Sequence, residues 1–238
     1  MKMDLFIRTY RNDAGWLRYL LRSIQKFCSV YNEIIVACPK SDAGIIRRVV
    51  GEYPITGMRL VLVENDMGSG YLEQQYTKMT ADLICTGDYI GFVDSDCIFI
   101  LPNSPDTHFV DGKIRYLITP YECVPTALKW KPITEAALGF PCPFETMRRH
   151  PCVYPKEVIA HCRAWIEFMH HRSLHSFILE QGISDFNAMG SFALEREPEK
   201  FMFEDTTKHP LPPEILKQRW SYGGISPEIA AENESWLK

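Results

Sequence analysis

Two carboxylates, Asp94 and Asp96, follow an apolar run with one serine between them. The stretch from Tyr89 to Ile100 reads Tyr-Ile-Gly-Phe-Val-Asp-Ser-Asp-Cys-Ile-Phe-Ile. Side chains two residues apart on an extended strand share one face. We therefore expect both carboxylates to point at one spot beyond the strand's end, where a hard divalent cation would lie between them and the oxygens of a diphosphate. The competing interpretation is that they cap the turn that follows, a common role for aspartate.

The overall composition is that of a globular chain. Its 238 residues are 46% hydrophobic and 12% aromatic, enough to fill a sizeable core. A formal charge of −4 and a pI near 6.0 provide no global attraction to nucleic acid or to an anionic membrane, although a local basic patch stays open. The composition therefore disfavours a nucleic-acid partner without excluding one.

The N-terminus and the cysteines predict a cytoplasmic protein. Charged residues interrupt the first apolar stretch too early for a signal peptide, and no apolar run approaches the roughly 20 residues of a transmembrane segment. Several of the eight cysteines lie in apolar strand or helix patterns, as buried thiols do. We expect them to be reduced.

Strand-like and helix-like segments alternate through the first hundred residues. This β-α-β order predicts an α/β fold with a mostly parallel central sheet and helices on both faces. The predicted strands are Leu5 to Thr9, Glu33 to Ala37, Arg59 to Val63 and the strand that ends at Asp94. The predicted helices run from about Trp16 to Phe27, from Ser41 onward, and from Gly70 to about Ile84.

The second half is less regular and richer in proline. Lys113 to Tyr121 reads as a strand, Pro141 to Pro151 as a loop, and a helix is predicted to begin at Pro155. No linker, internal repeat or low-complexity tract interrupts the chain. We therefore expect a single domain over residues 1–238.

The predicted topology gathers polar segments at one edge of the sheet. In open α/β sheets, ligands bind at the carboxyl ends of the strands. The segments expected at that edge are Thr9 to Asp13, Cys38 and Pro39, Glu64 to Asp66, and Asp94 to Asp96. All of them are polar or turn-rich, which favours a binding site there.

Three features together resemble a GT-A glycosyltransferase. They are the polar Thr-Tyr-Arg-Asn-Asp loop after the first strand, Gln74-Gln-x-x-Lys78 on the third helix, and the strand that ends in Asp94-Ser-Asp96. Gly70-Tyr-Leu-Glu-Gln-Gln-Tyr-Thr-Lys78 before the Asp-x-Asp strand resembles small bacterial and viral families of that fold. The resemblance covers roughly residues 4 to 101. It implies a nucleotide-sugar-binding half, 1–101, and an acceptor-binding half, 102–238.

The resemblance implies a metal-dependent transfer of sugar from a nucleotide-diphosphate donor to a glycan or another hydroxyl acceptor. Asp96 would bind Mn²⁺ or Mg²⁺ directly, and Asp94 would contact the ribose, the donor sugar or a metal-bound water. His209 would complete the metal shell, or it is simply a loop residue beside prolines. The cation would stabilise the departing nucleoside diphosphate.

The same resemblance assigns the nucleotide's base and ribose to the loop after the first strand and to the ends of the second and third strands. Tyr10 would stack on a pyrimidine or fill the loop, and Arg11 would bind a phosphate or a carboxylate. The implicated residues are Thr9, Tyr10, Arg11, Asp13, Pro39 and Glu64.

Gln74 and Lys78 are four residues apart on one helix and therefore face the same way. They would present a neutral donor and a cation to the diphosphate or the sugar, unless the two side chains lie on a solvated helix face. The most basic local cluster is Arg148, Arg149 and His150, which would clamp an anion or remain a solvated surface.

Asp185 lies where inverting GT-A enzymes often carry an acidic residue near the acceptor. An inverting transferase needs a base within hydrogen-bond reach of the acceptor hydroxyl. We therefore expect Asp185 to be that base and the reaction to invert the anomeric centre. The alternative is that Ser184 or Asp185 caps the following helix.

Three other functions compete with sugar transfer. A nucleotidyltransferase would use a related sheet, but it is expected to carry a glycine-rich, basic loop directly after the first strand, which Thr9-Tyr-Arg-Asn-Asp13 lacks. A phosphohydrolase of the haloacid dehalogenase type also places Asp-x-Asp after an apolar strand, but usually on the first strand, whereas Asp94 lies on about the fourth. A non-catalytic glycan-binding protein could retain the same fold. The donor sugar, the nucleotide base, the acceptor and the oligomeric state stay open.

Overall fold

The structure is a computed structural model that describes residues 1–29, 31–64, 66–148 and 150–238. The strands are β1 (Met3–Arg8), β2 (Ile34–Pro39), β3 (Met58–Val63), β4 (Tyr89–Asp94), β5 (Cys97–Phe99), β6 (Phe109–Val110), β7 (Lys113–Pro120), β8 (Phe144–Glu145), β9 (Cys152–Pro155), β10 (Phe201–Asp205) and β11 (Leu216–Gln218). The α-helices are α1 (Ala14–Phe27), α2 (Ala43–Glu52), α3 (Gly70–Met79), α4 (Trp130–Leu138), α5 (Lys156–His170), α6 (Leu174–Gln181), α7 (Asp185–Arg196) and α8 (Pro227–Leu237).

The central sheet has the strand order β3-β2-β1-β4-β9 among the described residues. The first four strands pair in parallel, and β9 joins β4 antiparallel. Arg8, the last residue of β1, lies opposite Asp94, the last residue of β4. The predicted α/β fold with a mostly parallel sheet is therefore confirmed.

Alternating side chains of the sheet enter two apolar clusters, one on each face. Leu5 and Ile7 of β1 pack with Leu17 and Leu20 of α1 on one face. Phe6 of β1 lies in the other cluster, which also contains buried residues of α3, α5, α6 and α7. This period of two along a strand with helices on both sides is the expected pattern of a buried parallel sheet.

Residues of the second half complete the region around the Asp-x-Asp sequence. β11 pairs antiparallel with β5, and this pairing sets Gln218 opposite Cys97. The backbone N–H of Arg219 then donates to the carbonyl of Asp96 at 2.9 Å. A segment about 120 residues downstream is thus attached to the loop that carries Asp96.

Some local predictions differ from the structure. The strand ends at Asp94, and Ser95 and Asp96 form a turn before β5, so the shared-face argument does not apply to the two carboxylates. The third helix ends at Met79, where the Thr80 hydroxyl donates to the carbonyl of Tyr76 and competes with the helical pattern. The predicted loop Pro141 to Pro151 includes β8, which pairs with β7.

None of the eight cysteines forms a disulfide in the described residues, as predicted. No helix among the described residues combines the length and the apolar character needed to cross a membrane.

Candidate active site

A cavity of about 540 Å³ opens at the carboxyl ends of β1, β2 and β4. β2 and β4 lie on opposite sides of β1, and the order of the strands reverses at this point. Such a reversal leaves a crevice between the loops that leave neighbouring strands on opposite faces. The cavity therefore lies where the parallel sheet favours ligand binding.

Most of the predicted donor-site residues line this cavity. Arg8 and Ser221 line it as well, although no motif pointed to them, and so does Ser95, the middle residue of the Asp94-Ser-Asp96 motif. The predicted residues in the lining are Thr9, Tyr10, Arg11, Asp13, Pro39, Gln74, Asp94 and Asp96.

Asp94 lies at the cavity wall with both carboxylate oxygens against buried cations. Its Oδ1 is 2.7 Å from Lys78 Nζ, and its Oδ2 is 3.4 Å from His150 Nε2. Burial alone would raise the pKa of Asp94, but Lys78 and His150 outweigh burial and hold that pKa well below its usual value. Asp94 is therefore a carboxylate whose charge is already balanced by protein groups.

Lys78 is only 2% exposed, so the solvated-face alternative does not apply to it. Its ammonium lies between Asp94 and Asp185 and 4.5 Å from the centre of the Phe186 ring. Burial disfavours the ammonium, yet Asp94 and Asp185 together raise the pKa of Lys78. Of the two predicted α3 side chains, Gln74 lines the cavity and Lys78 does not.

His150 supplies the second buried cation. Its Nδ1 lies 3.3 Å from the carbonyl of Phe92, and its ring packs edge-on against Phe186 at 5.3 Å. Burial would lower the pKa of His150, but Asp94 raises it well above its usual value. Both ring nitrogens face oxygen acceptors, so this raised pKa favours the imidazolium form, which can donate on both sides.

Asp185 is the first residue of α7 and is buried beside Lys78. Its Oδ1 accepts from the backbone N–H of Phe186 at 2.8 Å, and its Oδ2 lies 3.5 Å from Lys78 Nζ. Burial raises the pKa of Asp185 despite the opposing effect of Lys78. The carboxylate lies outside the cavity lining and reaches Asp94 only through the shared ammonium.

Asp96 faces the cavity with one oxygen bound and one oxygen unbound. Its Oδ2 accepts from the backbone N–H of Ser221 at 2.9 Å. Its Oδ1 is buried without a hydrogen-bond partner, and the residue is 8% exposed. Burial, followed by repulsion from Asp94, raises the pKa of Asp96.

Asp13 has the same half-satisfied state. Its Oδ2 accepts from the hydroxyl of Ser95 at 2.7 Å, and its Oδ1 is buried without a partner. Burial raises the pKa of Asp13, and the nearby charge of Asp96 adds to that shift. Because Ser95 precedes Asp96 directly, this hydrogen bond holds Asp13 beside the Asp96 loop.

The cavity fits a divalent cation at Asp13 and Asp96. Carboxylate oxygens buried without partners are the donors that Mg²⁺ or Mn²⁺ prefers. Mg²⁺ in phosphate sites commonly uses one or two carboxylates and takes its other ligands from water and substrate. No group of three His, Cys, Asp or Glu side chains in the described ranges is arranged to hold a metal ion.

The predicted grouping of Asp94, Asp96 and His209 around one metal is not formed. Asp94 is held by Lys78 and His150, as described above. His209 is exposed in the turn after β10, where its backbone N–H donates to the carbonyl of Asp205 at 3.0 Å. That turn keeps His209 out of the cavity lining.

Three further predicted residues take positions set by their neighbours. Glu64 is exposed after β3, pairs with Lys40 and borders a different cavity. Arg11 pairs with Asp42 at 2.6 Å, which is the carboxylate alternative for this residue. Tyr10 lines the cavity and stays 40% exposed, so its ring is accessible for stacking.

The predicted basic cluster at residues 148–150 is not a surface patch. His150 is buried against Asp94, and Arg148 pairs with the buried Glu145. Arg149 lies outside the described residues. Sequence reasoning found the histidine but not its role, because its partner is 56 residues upstream and only the pairing of β9 with β4 brings the two together.

No protein-family model matches the chain, and no curated protein matches it. Among solved structures, the chain is similar to S. aureus TarS (residues 1–349), in a crystal structure with UDP-GlcNAc. The two are 22% identical with a TM-score of 0.32 over 42% of this chain and 28% of that chain.

A second similar structure is the mannosyltransferase PcManGT from Pyrobaculum calidifontis, in complex with GDP-Man and Mn²⁺. It is 20% identical with a TM-score of 0.32, over 41% of this chain and 28% of that chain. The chain thus spans just over a quarter of the length of either protein.

Proposed function

We propose that the protein is a glycosyltransferase that uses a nucleotide-diphosphate sugar and a divalent cation. The observation that carries the proposal is the pair of buried carboxylate oxygens without partners, Asp13 Oδ1 and Asp96 Oδ1, in a cavity at the reversal point of a parallel sheet. Two unsatisfied buried acceptors are costly unless a cation or a proton binds them. The resemblance of the sequence to GT-A glycosyltransferases supports the same assignment.

In this proposal Asp96 and Asp13 hold Mn²⁺ or Mg²⁺ from the protein side. When bound, the cation supplies Lewis-acid stabilisation of the departing nucleoside diphosphate. Ser221 fixes Asp96 through its backbone N–H, and Ser95 fixes Asp13 through its hydroxyl. Both carboxylates are thus oriented before the donor arrives.

Asp94 has a different role from Asp96 in the proposed site. Because Lys78 and His150 balance its charge, we assign Asp94 to accepting hydrogen bonds from hydroxyl groups of the donor. The base and ribose are assigned to Thr9, Tyr10 and Pro39 in the lining, and Gln74 to the diphosphate or the sugar.

Asp185 is the proposed general base toward the acceptor hydroxyl, which makes the transfer inverting. Its raised pKa favours proton uptake, and its Oδ2 has no hydrogen-bond partner. The acceptor would then bind to the half of the chain from residue 102 onward, on the side of α7.

A thermal-shift matrix tests the donor class. Nucleoside diphosphates with different bases are added with and without Mn²⁺, because a ligand that binds the folded state raises the melting temperature by mass action. We expect a shift that needs both the nucleotide and Mn²⁺, and Asp96→Asn should lose it. A shift with Mn²⁺ alone that is unchanged in Asp96→Asn would contradict the proposal.

Donor turnover separates the proposed enzyme from its alternatives. Incubation of nucleotide sugars with Mn²⁺ should release nucleoside diphosphate, by slow hydrolysis even without an acceptor. Asp185→Asn should bind nucleotide normally and lose transfer. A binding protein of the same fold would bind donor without release, and a phosphohydrolase would release inorganic phosphate instead.

A further inference from the structure

Arg8 is a buried cation at the cavity for which the described chain supplies no ion pair. It ends β1, is 5% exposed and lines the cavity together with Asp13, Asp94 and Asp96. No carboxylate in the described ranges lies within 4 Å of its guanidinium, in contrast to Arg11, whose partner is Asp42.

The hydrogen bonds of Arg8 are also incomplete. One Nη1–H donates to the carbonyl of the adjacent Thr9. The Nε–H is buried without a partner. A guanidinium carries five N–H donors, and a buried donor left unsatisfied destabilises the folded state. Burial also lowers the pKa of Arg8, and Cys38, Glu73 and Asp42 oppose that shift without cancelling it.

The position of Arg8 has a structural cause. The side chain leaves the last residue of a strand that is buried along its whole length, between β2 and β4. Solvent therefore cannot reach the guanidinium through the sheet to hydrogen-bond with it, and a hydrogen-bond acceptor has to come from the cavity. A ligand that enters the cavity can supply the missing acceptors.

The charges in the cavity select the kind of ligand. Asp13 and Asp96 each present an unpartnered oxygen that suits a divalent cation, and Arg8 presents an unpartnered Nε–H that suits an anion. A guanidinium binds phosphate oxygens in a bidentate way that a lysine cannot reproduce. A diphosphate with a bound divalent cation would supply the anion for Arg8 and the cation for Asp13 and Asp96.

We propose that Arg8 binds the diphosphate of the ligand that occupies this cavity, opposite the cation held by Asp13 and Asp96. The identity of that ligand as a nucleotide-sugar donor rests on the proposed function. The assignment of a phosphate to Arg8 rests on the burial, the unpartnered Nε and the place of Arg8 in the lining.

Calorimetric titration with inorganic pyrophosphate and Mg²⁺ tests this assignment on the full chain. The variants are Arg8→Met, Arg8→Lys and the control Arg18→Met, whose arginine pairs with Glu52 at the surface away from the cavity. Hydrogen bonds to charged groups are worth enough that we expect Arg8→Met to weaken binding by about tenfold to a hundredfold. The affinity of Arg8→Lys for pyrophosphate should lie between those of Arg8→Met and the parent, and the affinity of Arg18→Met should equal that of the parent.

The melting temperature of the unliganded variants gives a second readout. Replacing an unsatisfied buried guanidinium by an apolar chain of similar length should leave the melting temperature of Arg8→Met equal to or above that of the parent. Loss of pyrophosphate binding in a protein that is no less stable is the expected combination. If Arg8→Met does not fold, the weakening in Arg8→Lys alone decides the question.

Two results would overturn the assignment, and both differ from a failure of the proposed function. The assignment is lost if the parent protein does not bind pyrophosphate, or if the Arg8 variants bind it as tightly as the parent. If pyrophosphate binding depends on Arg8 but no nucleotide sugar is turned over, the phosphate site stands and the transferase proposal falls.

Discussion

Replacing Lys78 by methionine tests whether the buried network around Asp94 depends on this one cation. Met fills a similar volume but removes the charge shared by Asp94 and Asp185. Breaking a buried ion pair by removing one partner typically costs about 3–5 kcal/mol, because the remaining charge stays buried. His150 still compensates Asp94, so we expect the lower end of that range.

The size of the protein converts this cost into a temperature. The entropy of unfolding for 238 residues is roughly 0.5 kcal/mol/K, so each kcal/mol corresponds to about 2 °C. At the lower end of the range, we therefore expect Lys78→Met to melt about 6 °C below the parent at pH 7. Thermal and urea unfolding followed by circular dichroism measure the difference.

The pH dependence shows which groups cause the loss. The folded pKa of Lys78 is raised, so its contribution is fully present below its unfolded value of about 10.4 and is lost only at higher pH. Between pH 8 and 5 that contribution is constant. In Lys78→Met, however, Asp185 can bind a proton as the pH falls, because its pKa is already raised by burial. The gap between the two proteins should therefore narrow on acidification.

Two controls accompany this experiment. Lys131→Met removes a half-buried i,i+4 pair with Glu135 on α4 and should cost no more than about 0.5 kcal/mol. Adding Asp185→Asn to Lys78→Met removes the carboxylate that the first change left alone and should recover part of the loss. A melting temperature of Lys78→Met within 2 °C of the parent, or a gap that does not vary with pH, would refute the reasoning.

Three other predictions follow from the same contacts. The folded pKa of His150 is raised, so its stabilising effect is complete below about pH 6.5 and is lost as the pH rises through the folded pKa. Between those two pH values the free energy of unfolding should fall by roughly 1.4 kcal/mol per pH unit. His150→Gln should abolish this dependence on pH. Gly190→Ala places a Cβ 2.6 Å from the Cβ of Thr146 and should destabilise the protein by about 1–3 kcal/mol in urea unfolding. Asp13→Asn should weaken Mn²⁺ binding, measured by the electron paramagnetic resonance of the free ion, without lowering the melting temperature.

Each of these has a matched control. Gly44→Ala adds its Cβ to open space on α2 and should stabilise the protein slightly, by up to about 1 kcal/mol. His161→Gln changes a largely exposed histidine, and the free energy of unfolding of this variant should still fall with rising pH as in the parent. Asp106→Asn changes a carboxylate that lies outside the cavity lining and should leave Mn²⁺ affinity unaltered. If a variant and its control give the opposite of these results, the contact on which that prediction rests is contradicted.

Much of the sheet could be predicted from the sequence, because it depends on local periodicity. The period of two in β1 and β2 and the helical spacing in α1 reflect which side chains each element must bury. The alternation of strands and helices also placed the polar loops after β1 and β4 at one edge. The cavity at that edge therefore follows from short-range patterns.

The charges within the cavity could not be predicted in the same way. The spacing predicted that Asp94 and Asp96 share one face, but the turn at Ser95 and Asp96 separates their environments. Asp94 meets Lys78 and His150, whereas Asp96 meets a backbone N–H of Ser221, 125 residues downstream. Such partners are defined by the packing of distant segments, and no local pattern encodes them.

Arg8 shows the same limit most clearly. In the sequence it is one arginine in an apolar strand, with nothing to distinguish a surface position from a buried one. The tertiary structure buries it between two neighbouring strands and aims it at the cavity without an ion-pair partner in the described ranges. Periodicity determined which elements form and where their ends meet, because backbone hydrogen bonding and burial act locally. Long-range packing decided which charges are balanced and which remain available to a ligand, because desolvation depends on everything that surrounds a group.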